Sequence, residues 1–238
     1  FCFRREQVGP EGGVLTAAEL DAAFAWLAAR PAIREVILSG GEPLMLGERR
    51  LSDLRARLDA LPGLDLVRLH TRMPVAVPEA VSTAMAAILG GGRHTLWVVA
   101  HVNHPRELGP AALAALGRLR AAGLPLLAQT VLLRGVNDDA ETLAALFRAL
   151  LRAGVKPYYL HQLDAAPGTA HFRVPIAEGQ ALLAALRGRI SGLALPTYVL
   201  DIPGGHGKVP IGPAYLEADA VRDPWGRRHA LDRGGERA

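Results

Sequence analysis

Cysteine is almost absent from this 238-residue sequence, with Cys2 the only one. A single thiol excludes an intrachain disulfide framework and favours a cytosolic setting, so a cytoplasmic protein is expected. Lysine is nearly as scarce. It occurs at Lys156 and Lys208, so the basic excess behind the net charge of +4 is almost all arginine. Both residues serve equally well on a solvated surface, but only lysine can form a Schiff base, and a lysine in an unusual setting is therefore informative. Long apolar runs are also missing. None approaches the roughly 20 residues of a membrane span, and the opening residues are polar and basic, unlike a signal peptide. No basic stripe is interleaved with aromatics, which argues against nucleic acid as a partner. The chain opens at Phe1 rather than Met, so a fragment or a processed product is expected.

Half of the residues are hydrophobic, enough for one sizeable core, and α/β barrels reach this length as single units. From residue 14 onward helical and strand patterns alternate. Helices are predicted over 15–29, 51–61, 79–89, 110–122, 138–153 and 176–190. Thr16 and Glu19 have capping-box spacing at the start of the first. Strands are predicted over 35–38, 64–70, 96–101, 126–132, 156–163 and 197–200. Such alternation with short connections implies a parallel sheet covered by helices. About six units, each with polar residues just after the strand, favour a barrel over an open sheet. The barrel is expected to occupy 1–213. The polar, Arg- and Gly-rich tail, 214–238, carries no strong pattern.

The unusual polar residues gather at the C-terminal ends of the predicted strands: the segment 39–43, His70 to Arg72, His101 to His104, Gln129, His161 to Asp164, and Asp201. Singly, each is what a turn or a cap would leave. Together they mark the rim where a parallel barrel builds its active site.

Three motifs stand out. SGGEPL at 39–44 follows a strand, and its glycines let backbone N–H and C=O groups approach a ligand. Its Glu42 is suited to bind an amine, although GGEP also occurs in ordinary turns. FCFRR at 1–5 contains the lone Cys2, and one thiolate cannot hold an iron–sulfur cluster. YVLDIPGGHGKVPI at 198–211 sets Lys208 behind a Gly-rich loop, which suits either a phosphate-binding loop or a cofactor-bearing lysine.

The last motif resembles the pyridoxal-phosphate lysine loop of the lysine 2,3-aminomutase family, and the first two resemble the signatures of radical S-adenosylmethionine enzymes. HTRMPV at 70–75, HVNHP at 101–105, QTVLLRGVND at 129–138 and YYLHQLDAAPGTAHFR at 158–173 are similar to the same family. The resemblance implies an α/β fold: a partial, TIM-like (β/α)6 radical S-adenosylmethionine barrel whose first strand is missing from this chain. It implies a [4Fe–4S] cluster, S-adenosylmethionine and pyridoxal 5′-phosphate as cofactors. The reaction it implies is 2,3-migration of the amino group between L-lysine and L-β-lysine. An electron donor such as flavodoxin or ferredoxin and a homo-oligomeric assembly are implied as partners.

Carried over residue by residue, Cys2 is the third cysteine of a C-x3-C-x2-C cluster loop. Ser39, Gly40, Gly41 and Glu42 form the edge that takes the methionine part of S-adenosylmethionine, and His101 and Gln129 lie near its adenosyl part. Lys208 is the internal aldimine lysine, and Arg72 either binds the cofactor phosphate or braces the rim. Arg4 pairs with the substrate α-carboxylate. Asp164 and Asp201 bind the distal ammonium of lysine. The aspartate pair also has a physical rationale, since two carboxylates at adjacent strand ends repel unless a cation sits between them. His104, His161, His171 and His206 are given supporting roles only. The sequence departs from the family in two ways. The first two cluster cysteines are absent, and no cysteine after Cys2 is available for the structural zinc site some members carry. Two further settings stay open: β-lysine supply for modification of elongation factor P, and a non-catalytic fragment that binds pyridoxal phosphate.

Overall fold

Pleated strands that feed helices through short loops fold here into one curved sheet, as the alternation predicts. The computed structural model describes residues 15–231. Within them β1 (Glu35–Leu38), β2 (Leu66–Thr71), β3 (Thr95–His101), β4 (Leu126–Val131), β5 (Lys156–His161) and β6 (Thr197–Asp201) lie side by side in chain order. All five pairings among them are parallel. Parallel neighbours need a crossover, and helices supply most of it: α1 (Ala17–Ala28) precedes β1, and α2 (Gly47–Asp59), α4 (Thr83–Gly90), α5 (Pro110–Ala121), α6 (Ala140–Arg152) and α7 (Ile176–Leu186) fall between successive strands. The capping box at the first helix forms as its sequence spacing predicts, with Thr16 and Glu19 exchanging side-chain bonds to each other's backbone N–H.

The core lies between strands and helices. Val67 and Leu69 of β2, Val98 and Ala100 of β3, Ala128 of β4 and Leu160 of β5 point outward into it and meet Leu54 and Leu58 of α2, Leu116 and Leu119 of α5, and Leu146 and Leu150 of α6. Because side chains alternate along a strand, the intervening residues all face the concave side. That side therefore carries His70, His101, Gln129, Tyr159, His161 and Asp201, all only partly buried.

Three elements differ from the predicted ones. The helix expected over 79–89 splits: a 3-10 turn covers Pro78–Ala80, and α4 begins only after Ser82, whose Oγ accepts from the Met85 N–H. The helix expected to run to 190 stops at Leu186, because Arg187 is extended (ψ 131°) and Gly188 has φ +80°. A short α3 (Met73–Ala76) follows Arg72. The chain after β6 also does more than loop. It returns antiparallel as β7 (Lys208–Pro210), and the tail forms a small hairpin, β8 (Ala220–Arg222) with β9 (Arg228–Ala230). Glu217 holds that hairpin through Arg222 and Arg228, so part of the segment with no strong sequence pattern is ordered by cross-strand ion pairs. Among the described residues no helix is long and apolar enough to cross a membrane.

Candidate active site

At one end of the concave rim, the SGGEPL loop is tied to the next strand. Glu42 Oε1 accepts from Thr71 Oγ1 at 2.6 Å and from the Leu44 N–H at 3.2 Å, and Oε2 accepts from the Arg72 N–H at 2.8 Å. An ionised carboxylate offers about four lone-pair sites, so most of Glu42 is spent on bracing β1 against β2. Gly40 sits at φ +126°, a conformation that requires glycine. A Cβ at Gly41 would meet nothing within 4 Å. Ser39 and Gly41 are exposed, so this backbone edge is open to a ligand.

In the middle of the rim, the parallel register sets His101 of β3 directly beside Gln129 of β4, and a β-bulge between Ala128 and Gln129 disturbs the next pairing. Around them runs a carboxamide network the sequence did not single out. Asn103 Oδ1 accepts from the Val131 N–H at 2.9 Å and lies 3.2 Å from His101 Nε2. Asn137, fully buried, donates to the carbonyls of Asn103 and Val131 and accepts from the Leu133 N–H. Glu107 accepts from the Asn103 N–H at 3.1 Å and pairs with Arg72 at 3.2 Å. Burial, and then the positive charge of Arg72, push the His101 imidazole down to about 4.

At the far end, the antiparallel return of β7 pairs Lys208 with Asp201 across the hairpin. The connecting loop turns on Gly204, Gly205 and Gly207, all at positive φ. A Cβ on Gly205 or Gly207 would meet nothing within 4 Å, so this backbone too is open to a ligand. Lys208 Nζ donates to both carboxylate oxygens of Asp201. His161 Nδ1 lies 3.2 Å from Asp201 Oδ2 and 3.5 Å from Lys208 Nζ. The ring of Tyr159 stands 5.5 Å from the Lys208 ammonium.

Burial pushes the Asp201 carboxyl up, but the hydrogen bond and charge of Lys208, with His161, outweigh it and hold the group below its usual range. Asp164, three residues beyond the adjacent β5, is pushed up by burial and then by repulsion from Asp201, while Lys208 opposes the shift. Burial, with the nearby Lys208 charge, lowers His161. The other lysine is at the opposite, N-terminal end of the strands. Lys156 opens β5 and donates to the carbonyls of Pro157 at 2.6 Å and Leu195 at 3.1 Å.

The structure thus gathers Lys208, Asp201 and Asp164 at one end, His101 and Gln129 in the middle, and Ser39 to Glu42 with Arg72 at the other end. Cys2 and Arg4 lie outside the described residues. Sequence reasoning gave His161 only a supporting role and assigned no role to Asn103, Glu107, Asn137 or Tyr159. For His161 and Tyr159 a signal existed: both lie on the period-2 face that ends at the rim. For Asn103 and Asn137 none did, because their roles depend on which strand lies alongside.

Solved structures with the same sheet define its class. The chain superposes on Streptococcus suis SuiB bound to S-adenosylmethionine with a TM-score of 0.60, at 11% identity, over 84% of this chain and 46% of that one. It superposes on anSMEcpe with bound AdoMet and a peptide with a TM-score of 0.56, at 12% identity, over 73% of this chain and 52% of that one. The fold is therefore the partial α/β barrel that these structures share. Sequence relatives are more specific. The profile of the family described as Lysine-2,3-aminomutase matches residues 183–223. L-lysine 2,3-aminomutase of Fusobacterium nucleatum is 38% identical over 90% of this chain and 50% of its own length. Putative L-lysine 2,3-aminomutase of Treponema pallidum is 43% identical over 93% of this chain and 62% of its own length. The chain is thus similar to lysine 2,3-aminomutases over about nine-tenths of its own length, and it spans between half and about three-fifths of these relatives' lengths.

Proposed function

We propose that this chain carries the cofactor- and substrate-binding rim of a radical aminomutase that interconverts L-lysine and L-β-lysine. The observation that carries the reading is the β6–β7 hairpin. It brings Lys208, one of only two lysines, to the rim beside Asp201 and near Asp164, in a chain 38% identical to an L-lysine 2,3-aminomutase.

Lys208 is the residue to hold pyridoxal 5′-phosphate, and the open glycine backbone at Gly205 and Gly207 leaves room for a phosphate. Arg72 is assigned either to the cofactor phosphate or to bracing the rim, where it pairs with Glu107. Ser39, Gly40 and Gly41 offer backbone groups to the methionine part of S-adenosylmethionine, with Glu42 fixing their loop. His101 and Gln129, adjacent by register, face its adenosyl part. Arg4 is assigned to the substrate α-carboxylate, and Asp164 with Asp201 to its distal ammonium. When bound, S-adenosylmethionine supplies a hydrogen-abstracting radical and pyridoxal phosphate an electron sink for the migrating nitrogen. The residues of the chain bind, orient and exclude water. A [4Fe–4S] cluster needs several thiolates, and the one this chain contributes to it is Cys2. No step is assigned through it. L-lysine and an external reductant such as flavodoxin or ferredoxin are the partners this chemistry requires, with a homo-oligomer in the cytoplasm as its setting.

Borohydride reduction in the presence of pyridoxal phosphate tests the cofactor assignment. The label is expected on Lys208 and is lost in Lys208→Ala. A label on Lys156, whose ammonium is bound to two carbonyls at the N-terminal ends of the strands, would overturn it.

A further inference from the structure

Lys208 does not wait free at the rim. Strand register, rather than a chance rotamer, sets it opposite Asp201, and facing residues of an antiparallel pair hold their Cβ atoms about 5 Å apart. The ammonium reaches both oxygens of the carboxylate. The groups that face this pair come from every neighbouring element: His161 and Tyr159 from β5, Asp164 from the loop that follows it, and His101 from β3 through its interaction with His161. Of these only Lys208 brings an ammonium group. It therefore balances Asp201 and also eases the repulsion between the two aspartates.

We propose that the Lys208 ammonium and the primary ammonium of a ligand are alternative occupants of the Asp201 carboxylate, so that Lys208 must leave it before a cationic substrate tail can bind there. The inference rests on the reading of Asp164 and Asp201 as an ammonium site. It adds an order to assembly: cofactor first, cationic substrate second.

The exchange is feasible because the pair is shallow. Lys208 and Asp201 side chains are 29% and 41% exposed, and ion pairs in such settings contribute little to stability. Lys208 competes by being tethered, which gives it an effective concentration on the order of millimolar. Attachment of a carbonyl cofactor releases it. The Lys208 nitrogen forms a double bond to the carbonyl carbon, and the carbonyl oxygen leaves as water with two of the ammonium hydrogens. One N–H remains in place of three, and the hold on two carboxylate oxygens is given up. The nitrogen keeps its positive charge but is fixed to the cofactor with a single donor, so Asp201 is left with a weaker cationic partner beside Asp164, a state that favours a new cation. Coupling of this kind is reciprocal, so a bound ligand ammonium also favours cofactor attachment.

Calorimetric titration of the cofactor-free 238-residue chain with L-lysine tests the exclusion without any turnover, with L-norleucine as the control that lacks a distal ammonium. Lys208→Ala, and independently Lys208→Gln, are expected to bind L-lysine roughly 10-fold more tightly than the parent, the usual scale of a site-to-site coupling. Norleucine binding should be unchanged, and adding Asp201→Asn should erase the gain. Equal L-lysine affinity in the parent and both Lys208 variants, with Asp201→Asn still weakening it, overturns the exclusion while leaving the ammonium site standing. L-lysine binding that is indifferent to Asp201→Asn, or absent throughout, removes the ammonium site and the exclusion with it.

Discussion

Asn103 decides what His101 can do. The Val131 N–H can only donate, so the Asn103 atom it meets at 2.9 Å must be the oxygen. That oxygen also faces His101 Nε2 at 3.2 Å, so Nε2 must carry the hydrogen and the lone pair lies on Nδ1. Burial and Arg72 keep the ring neutral, with its pKa moved from 6.5 to about 4. This has a measurable consequence. The unfolded chain takes up a proton near 6.5 and the folded one only near 4, so between these values the unfolded state binds more protons and is favoured by acid. His101 is therefore expected to withdraw roughly 3 kcal/mol of stability as the pH falls from 6.5 to 4, with nothing further lost below. Urea midpoints measured across that range should fall for the parent and fall much less for His101→Asn. Identical pH profiles would show that His101 titrates normally. The motif HVNHP put His101 forward as a candidate from sequence. The role of Asn103 was silent, because it depends on a backbone amide of β4 that only the folded register supplies.

Among elements, helix α7 shows how packing overrides propensity. Gly179 lies inside it, where alanine would ordinarily gain about 1 kcal/mol of helix propensity. A Cβ there would come 2.6 Å from Tyr198 Cζ and 2.8 Å from Cε1. The Tyr198 ring, 1% exposed, is pinned by a hydrogen bond to Gln162 Oε1 and has no room to yield. Overpacking of a rigid core typically costs about 1–3 kcal/mol, so the clash wins. Gly179→Ala is expected to lower the thermal midpoint, and a raised midpoint would refute the packing argument. Helix and strand positions were readable from periodicity because each element has a long buried face. Short elements were not. β7 has three residues, all exposed, so no alternation announces it, and its glycine-rich approach reads as loop. The consequence for the site was large: Lys208 was legible as a reactive lysine, but its partner Asp201 was legible only as a substrate ligand.

At the level of the whole molecule, the six strand–helix units and the crowding of polar residues at strand ends were legible because a parallel barrel repeats one pattern. The hairpin in the tail was not, since its ion pairs join residues of no regular spacing. The family profile runs on to residue 223, past the expected boundary at 213. Cysteine count makes one further statement about the chain as a unit. Reconstituted anaerobically with iron and sulfide, the 238-residue chain is expected to hold little [4Fe–4S] cluster by absorbance and iron analysis, because one thiolate cannot anchor it. A version carrying a complete C-x3-C-x2-C loop that ends on Cys2 should hold one. Full cluster loading of the unextended chain would break the assignment of Cys2.

The β6–β7 hairpin has one more effect, on how copies of the chain meet. A parallel sheet that stopped at β6 would present a row of unpaired N–H and C=O groups, a template for adding strands from another molecule. β7 covers that row, and it does so with three residues that end in Pro210, which has no N–H to offer. The edge is left too short and too poor in donors to recruit a neighbour. The segment that positions Lys208 thereby also shields the β6 edge of the sheet, and sequence changes that lengthen or loosen it are expected to lower solubility.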